Sequence, residues 1–318
     1  MRKVPHVAVV GAGSVGATIV FAALLRGLAE RVSLYDINAE KTEAEVLDLR
    51  QGLQFVPSAS IDGGADIEVC RGADIIVITA GAKQKAGQSR LELAAVNARI
   101  CRTMVPQLLE VAPDAVLLMV TNPVDVVTSV AIEAAGLPEG RVFGSGTVLD
   151  SSRLRLLLAQ RCGVAVQNVH AYIVGEHGDS ELALWSSATI GAVPIKEWVG
   201  FGGSALSATE RYELLDDVRK AALKIIAGKG ATNWAVGLAT ARILEAILRD
   251  ENRVLPVTAP IGDFADLDRD VCLSIPRVVG KNGAGPALPT PVDDEEREQL
   301  AASAEAVESV LKSVTAAT

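Results

Sequence analysis

Two of the three histidines of this 318-residue chain lie in one stretch, Asn168-Val169-His170-Ala171-Tyr172-Ile173-Val174-Gly175-Glu176-His177-Gly178-Asp179-Ser180-Glu181. Val169, Ala171 and Ile173 alternate with His170, Tyr172 and Val174, which predicts a strand. At Gly175 the pattern breaks, and His177 sits between Gly175 and Gly178 with acids on either side. An imidazole changes charge near neutral pH, so a histidine on a glycine-rich loop at a strand end suits proton transfer. A surface-loop histidine hydrogen-bonded to a neighbouring acid fits the same residues.

Three further segments carry polar groups where apolar ones are expected. Thr121-Asn122-Pro123-Val124-Asp125 ends an apolar run, at the edge where α/β sheets bind ligands. Asp150-Ser151-Ser152-Arg153 opens a helix, and a spacing of three puts Asp150 and Arg153 on one helix face. Lys83-Gln84-Lys85-Ala86-Gly87-Gln88-Ser89-Arg90 follows Gly81 and suits a mobile lid. Taken singly, each is also compatible with a helix cap, an ion pair or a solvated loop.

A fourth segment points to a phosphate-bearing cofactor. In Gly11-Ala12-Gly13-Ser14-Val15-Gly16 the first glycine permits a tight turn. The second lets the backbone approach a pyrophosphate, and the third lets helix and strand pack closely. The following helix presents free N–H groups to the phosphates. Asp36 lies 20 residues beyond Gly16, at the end of the next apolar run. An acid there accepts hydrogen bonds from ribose hydroxyls and repels a 2′-phosphate, which favours NAD over NADP.

The elements that must position these groups follow from the apolar pattern. Residues 7–10, 32–35, 75–79 and 116–120 are short apolar runs of the kind buried in a parallel sheet, with helical stretches between several of them. One helix starts near Ser89, where Glu92 three residues on completes a capping box. This predicts an α/β fold: an N-terminal doubly wound parallel (Rossmann) sheet over residues 1–145 and a C-terminal α+β catalytic domain over residues 146–318. In the second half a helix is expected over 150–161 and a long helical region over 208–250. Strands are expected near 254–261 and 271–279 with an Asn282-Gly283 turn. A final helix is signalled by Thr290 and Pro291, with Leu300, Ala304, Val307, Leu311 and Val314 on one face.

Composition narrows the functional classes. Thirty Lys and Arg against 39 Asp and Glu give a net charge of −9, with no basic block, which argues against nucleic acid as a partner. Cys70, Cys101, Cys162 and Cys272 have no paired spacing, as expected of a reduced, cytoplasmic protein without a cysteine metal site. Residues 7–25 are uncharged and follow Arg2 and Lys3, a superficial signal or membrane pattern. Gly11, Gly13 and Gly16 interrupt it, so a strand, turn and helix are expected and no membrane association.

Together these segments resemble the lactate/malate dehydrogenase family over nearly the whole chain. The resemblance rests on the Gly11 to Gly16 turn, Asp36, Thr79-Ala80-Gly81-Ala82, Gln84 to Arg90, Thr121 to Asp125, Gly144-Ser145-Gly146-Thr147-Val148-Leu149-Asp150, Arg153, Gly175 to Glu181 and Lys229-Gly230-Ala231-Thr232. It implies NAD-dependent interconversion of pyruvate and L-lactate. His177 would be the proton donor to pyruvate, and Asp150 would orient its imidazole and stabilise the charged form. Arg153 would hold the substrate carboxylate by two parallel hydrogen bonds, and Arg90 on the lid would polarise the carbonyl. Asn122 would hydrogen-bond near the reacting oxygen, and Thr232 would line the pocket. Val15, Asp36, Gly81, Ala82, Val120, Asn122 and Ser145 would contact the cofactor.

Gln84 bears on the substrate. Malate-specific members place arginine at this lid position, because a second buried carboxylate needs a counter-charge. Glutamine suits a methyl-bearing substrate, with malate or broader 2-hydroxy acids as the alternative; Asn233-Trp234 stands where paired tyrosines are expected. Arg155 lies two residues beyond Arg153, about 200° around the helix, so it faces away from the pocket. The resemblance to bacterial members implies that Arg155 and His170 bind fructose 1,6-bisphosphate across an interface of a homotetramer, as an activator.

Overall fold

The computed structural model describes residues 4–82, 89–200, 205–267 and 269–316, without the side chains of Arg90 and Ala316. In chain order the elements are β1 (His6–Val10), α1 (Ser14–Leu25), β2 (Arg31–Tyr35), α2 (Ala39–Gln51), β3 (Ser60–Gly64), β4 (Ile75–Ile78), α3 (Arg90–Val111), β5 (Val116–Met119), α4 (Val124–Ala135) and β6 (Val142–Gly144). There follow α5 (Val148–Cys162), β7 (Val169–His170), β8 (Ile173–Val174), β9 (Leu182–Ala183), β10 (Thr189–Ile190), β11 (Val193–Pro194), α6 (Ala208–Lys229), α7 (Trp234–Leu248), β12 (Arg253–Gly262), β13 (Arg269–Gly280), β14 (Gly283–Ala287) and α8 (Asp294–Ala316).

Residue alternation along the strands builds two cores from one sheet. Val7, Val9, Val32, Leu34, Ile75, Val77, Val116 and Leu118 face one side, where Ile19 and Ala23 of α1 and Ile243, Leu244 and Ile247 of α7 meet them. Ala8, Val10, Ile76, Ile78, Leu117 and Met119 face the other, against α3, α4 and the Leu300, Ala304, Val307 and Val314 face of α8. Strands buried on both faces must be apolar, as β4 and β5 are throughout and β1 is from Val7 onward.

The main sheet has the order β14-β13-β12-β6-β5-β4-β1-β2-β3. Strands β1 to β6 pair in parallel, and the order reverses between β1 and β4, the point at which open α/β sheets bind ligands. Antiparallel β12 joins β6 through the Thr258–Gly144 pair, so one sheet runs through both halves of the chain. A third core forms where Leu154 and Leu158 of α5 and Leu215 and Val218 of α6 meet Val169, Ile173 and Ile190.

The structure corrects several local expectations. The stretch 169–174 is two short strands in different sheets, β7 pairing with β10 and β8 with β9. The helical region 208–250 is two helices, because Gly230 takes the left-handed conformation (φ +85°) and caps α6. The turn expected at Asn282-Gly283 is centred on Lys281-Asn282, with Gly280 and Gly283 as the flanking pair. Helix α8 begins four residues after Thr290, where Asp293 and Glu296 each accept the other's backbone N–H. Residues 7–25 form a strand, a turn and a helix, and no helix among the described residues is long and apolar enough to cross a membrane.

Two left-handed glycines separate strain from collision. Gly136 (φ +58°) has open space where a Cβ would stand, whereas at Gly283 (φ +94°) a Cβ would lie 2.1 Å from the Gly140 carbonyl oxygen. Gly136→Ala therefore costs about 1 kcal/mol from the backbone alone. Gly283→Ala adds a clash with rigid backbone, for a total of about 3 kcal/mol. Urea denaturation of the two variants checks the order, and equal losses would contradict it.

Candidate active site

The sheet brings its ligand-facing turns together at the carboxyl ends of β1, β4 and β5. The turn after β1 is held by two close approaches. A Cβ on Gly11 would lie 2.6 Å from Thr79 Oγ1, one on Gly16 would lie 1.9 Å from the Gly11 carbonyl oxygen, and one on Gly13 would meet nothing within 4 Å. The open space therefore lies at the second glycine, at the N-terminus of α1, whose cap makes no side-chain hydrogen bond. These features fit a pyrophosphate, with backbone approach at Gly13 and unsatisfied N–H groups behind it. Val15, in the first turn of α1, is half-buried. Asp36 Oδ2 accepts from Ala12 N at 2.7 Å and its Oδ1 from Asn38 N at 3.0 Å. The carboxylate is thus fixed to the glycine turn it would serve, with lone pairs left over for a ribose.

The other two turns are locked to one another by a residue that sequence reasoning passed over. Asn97 of α3 is buried, accepts from Ala82 N at 2.7 Å and donates to the Asn122 carbonyl oxygen at 2.7 Å. Gly81 permits this approach, since a Cβ there would lie 2.4 Å from Thr121 Cγ2. An amide amid Ala94, Ala98 and Cys101 on an apolar helix face was the available signal. Asn122 is exposed and precedes a cis peptide bond to Pro123; Val120 and Ser145 are half-buried, and Ser145 N donates to Met119 O at 2.8 Å.

The catalytic candidates come from α5 and the loop after β8. Ser151 Oγ accepts from Ile173 N at 2.8 Å and Thr147 Oγ1 donates to Ile173 O at 2.6 Å, which pins the start of α5 to β8. Beyond β8, Gly175 (φ +91°) exchanges backbone hydrogen bonds of 2.9 and 3.0 Å with Ser274. His177 N then donates to Asp125 Oδ2 at 2.7 Å, and Asp125 Oδ1 accepts from Thr258 Oγ1 at 2.7 Å. The result is a 2.7 Å contact between His177 Nδ1 and Asp150 Oδ2. Arg153 Nη1 donates to the other oxygen, Asp150 Oδ1, at 2.6 Å. Asp150 is 2% exposed, while the side chains of Arg153 and His177 are 16% and 28% exposed.

The electrostatics follow from these neighbours. Burial by itself would lower the pKa of His177, but the Asp150 charge and hydrogen bond, helped by Glu181 and Asp125, raise it to about 9. Burial would raise the pKa of Asp150, yet the His177 and Arg153 cations hold it below the ordinary carboxylate value. Asp125 is pushed up to about 6 by burial, against its hydrogen bonds from Thr258 and the His177 backbone. The site therefore keeps an imidazolium beside a carboxylate at neutral pH. Sequence reasoning left Asp125 without a role; Thr258 and Ser274, hydroxyls inside apolar runs of β12 and β13, were the signal for its cradle.

The remaining sequence candidates sit as follows. Gln84 lies outside the described residues, and of Arg90 only the backbone is described, as the first residue of α3 behind the Ser89–Glu92 capping box. Thr232 is half-buried in the link between α6 and α7. Its neighbour Asn233 donates to Thr18 Oγ1 at 3.0 Å, tying that link to α1, while the Lys229 ammonium lies 5.2 Å from the Trp234 ring. Arg155 faces away from Asp150: its Nε donates to the Ala171 carbonyl at 2.8 Å and its guanidinium lies 4.9 Å from the Tyr172 ring. His170 is exposed on β7.

Comparisons with known proteins agree with this geometry. Residues 5–144 match the family model of the lactate/malate dehydrogenase NAD binding domain, and residues 147–318 that of the lactate/malate dehydrogenase alpha/beta C-terminal domain. The chain is 52% identical over 304 residues to an L-lactate dehydrogenase of Bifidobacterium animalis subsp. lactis, covering 95% of each chain. It is 41% identical to L-lactate dehydrogenase 1 of Clostridium acetobutylicum, covering 99% of this chain and 100% of the relative. Among solved structures, a lactate dehydrogenase from a Medee basin deep-sea metagenome library superposes with a TM-score of 0.94 at 38% identity, covering 99% of this chain and 100% of that one. A minor L-lactate dehydrogenase from Enterococcus mundtii, in a ligand-bound form, gives 0.93 at 37%, covering 98% of each. With both halves of the chain matched and a dinucleotide turn beside a His–Asp–Arg cluster, the chain belongs to the lactate/malate dehydrogenase family and is an NAD-dependent oxidoreductase.

Proposed function

We propose that the chain reduces pyruvate to L-lactate and catalyses the reverse reaction, working in the cytoplasm, with residues 1–145 holding NAD and residues 146–318 most of the substrate site. The observation that carries this is the buried Asp150 carboxylate shared between His177 and Arg153. Asp150 takes Nδ1 of the imidazole, which leaves Nε2–H as the donor to a substrate carbonyl. The same carboxylate takes one terminal nitrogen of Arg153. The guanidinium keeps Nε and its second terminal nitrogen, which point the same way and match a carboxylate.

NADH, when bound, supplies the hydride to the carbonyl carbon. Gly11, Gly13, Val15, Gly16, Asp36, Gly81, Ala82, Val120, Asn122 and Ser145 would hold it at the carboxyl edge of the sheet. The protein's own task is then to hold the substrate by its carboxylate on Arg153, donate the proton from His177 Nε2 to the forming alkoxide and exclude water. Arg90 would polarise the carbonyl as charge develops on oxygen, Asn122 would hydrogen-bond near that oxygen, and Thr232 would line the methyl side. In lactate oxidation the neutral imidazole takes the hydroxyl proton, and Asp150 stabilises the resulting cation.

Gln84 supports pyruvate over oxaloacetate, since a neutral amide gives a second carboxylate no counter-charge. NADH consumption with each oxo acid tests this. Wild-type enzyme is expected to favour pyruvate, and Gln84→Arg to shift the ratio of kcat/KM toward oxaloacetate by about 100-fold or more. An unchanged ratio contradicts the assignment.

We further propose a homotetramer activated by fructose 1,6-bisphosphate through Arg155 and His170. In support, the Arg155–Ala171 hydrogen bond brings this arginine to the residue next to exposed His170, on the side of α5 away from Asp150. Phe21, Phe55, Trp234 and Leu238 are exposed apolar side chains of the kind buried between subunits. Pyruvate saturation curves are expected to move to lower concentration with millimolar sugar bisphosphate, and this shift to vanish in Arg155→Gln. Superimposable curves for the wild type refute activation, and a monomeric mass by light scattering refutes the assembly.

A further inference from the structure

Glu181, four residues past His177, is an acid that the reaction as written does not use. It is 2% exposed and immediately precedes β9. One of its carboxylate oxygens, one of Asp150 and a ring nitrogen of His177 all lie within 4.8 Å of one another. Among the described residues, Asp150 and Arg153 face it from α5 and Arg219 from α6, alongside His177 of its own loop. Arg219 also donates to the Glu181 backbone carbonyl, while its buried Nε has no hydrogen-bond partner among the described residues. Asp125, from α4, faces the same imidazole.

Two carboxyls this close to one imidazole cannot be independent. With Glu181 neutral, Asp150 alone balances His177 and Arg153. With Glu181 ionised, a second negative charge opposes loss of the His177 proton. Burial and the nearby Asp150 charge raise the pKa of Glu181 to about 8, against the pull of His177, Arg219 and Arg153. Its charge therefore develops toward alkaline pH, the range in which His177, raised by Asp150, also gives up its proton.

We propose that Glu181 is a positioning residue for the proton-transfer step: its buried carboxylate retains the proton on His177 in alkaline solution without touching the substrate. This rests on the pyruvate-reducing role of His177. A neutral replacement lacks the retaining charge at every pH. Wild type lacks it only in acid, so the two differ only toward alkaline pH. A purely structural role would instead lower activity across the whole range.

The test is the pH profile of kcat/KM for pyruvate in wild type, Glu181→Gln and Glu181→Met, with folding checked by NADH binding. The rate at which diethylpyrocarbonate labels His177, followed on its own peptide by mass spectrometry, runs alongside. For whichever neutral variant folds, both the alkaline limb and the labelling curve are expected to move to lower pH by about one unit. At pH 6, kcat/KM should stay within about two-fold of wild type. Glu181→Asp, which keeps a carboxylate, is expected to fall between wild type and the neutral variants. Curves that coincide with wild type, or a uniform loss at all pH values, overturn the proposal. Failure of the wild type to reduce pyruvate would refute the substrate instead, and His177 labelling would still test Glu181.

Discussion

The hydrogen bond between His177 Nδ1 and Asp150 Oδ2 is the interaction to which the rest of the site is adjusted. A carboxylate as buried as Asp150 needs partners, because an unpaired charge away from water is strongly destabilising. His177 and Arg153 are those partners, and in the proposed reaction they are also the two groups that must be charged. One buried acid therefore fixes the imidazole's orientation, raises its proton affinity and orders the guanidinium. Stability and chemistry make the same demand here, so neither partner can be exchanged freely.

That bond exists only because several elements are held in register. Ser151 and Thr147 fasten α5 to Ile173, and Gly175 fastens the end of β8 to Ser274 of β13. Asp125 holds the backbone of His177 and is itself held by Thr258 of β12. The antiparallel strands that extend the sheet past β6 thus support the His177 loop as well as covering a sheet edge. The cofactor turns depend on the same economy of space: Gly11, Gly16 and Gly81 allow approaches that any side chain would block.

The parts of this arrangement legible in the sequence were those governed by local rules. The apolar runs of β1, β2, β4 and β5, the Gly11 to Gly16 turn with Asp36, and the Ser89–Glu92 cap all depend on near neighbours. The strands that escaped notice lack such a signal. β3 reads Ser-Ile-Asp-Gly-Gly and owes its conformation to pairing with β2, while β6 is only three residues long. The break between α6 and α7 was hidden because apolar periodicity continues on both sides of Gly230. In the site, His177, Asp150 and Arg153 could be picked out by residue type and spacing. Asn97, Asp125 and Glu181 could not, because their partners come from other elements: Asn97 meets Asn122 from 25 positions away, and Asp125 meets His177 from 52.

The role assigned to Asp150, keeping His177 protonated until the proton is transferred, is read in the His177 pKa, followed through the ring carbon resonance during an NMR pH titration of wild type and Asp150→Asn. Titration near 9 is expected in the wild type. In the variant, where only Glu181 and Asp125 still oppose burial, titration is expected at least about one unit lower, with the alkaline limb of pyruvate reduction moving by the same amount. Titration of the two proteins within about half a unit of each other would contradict it.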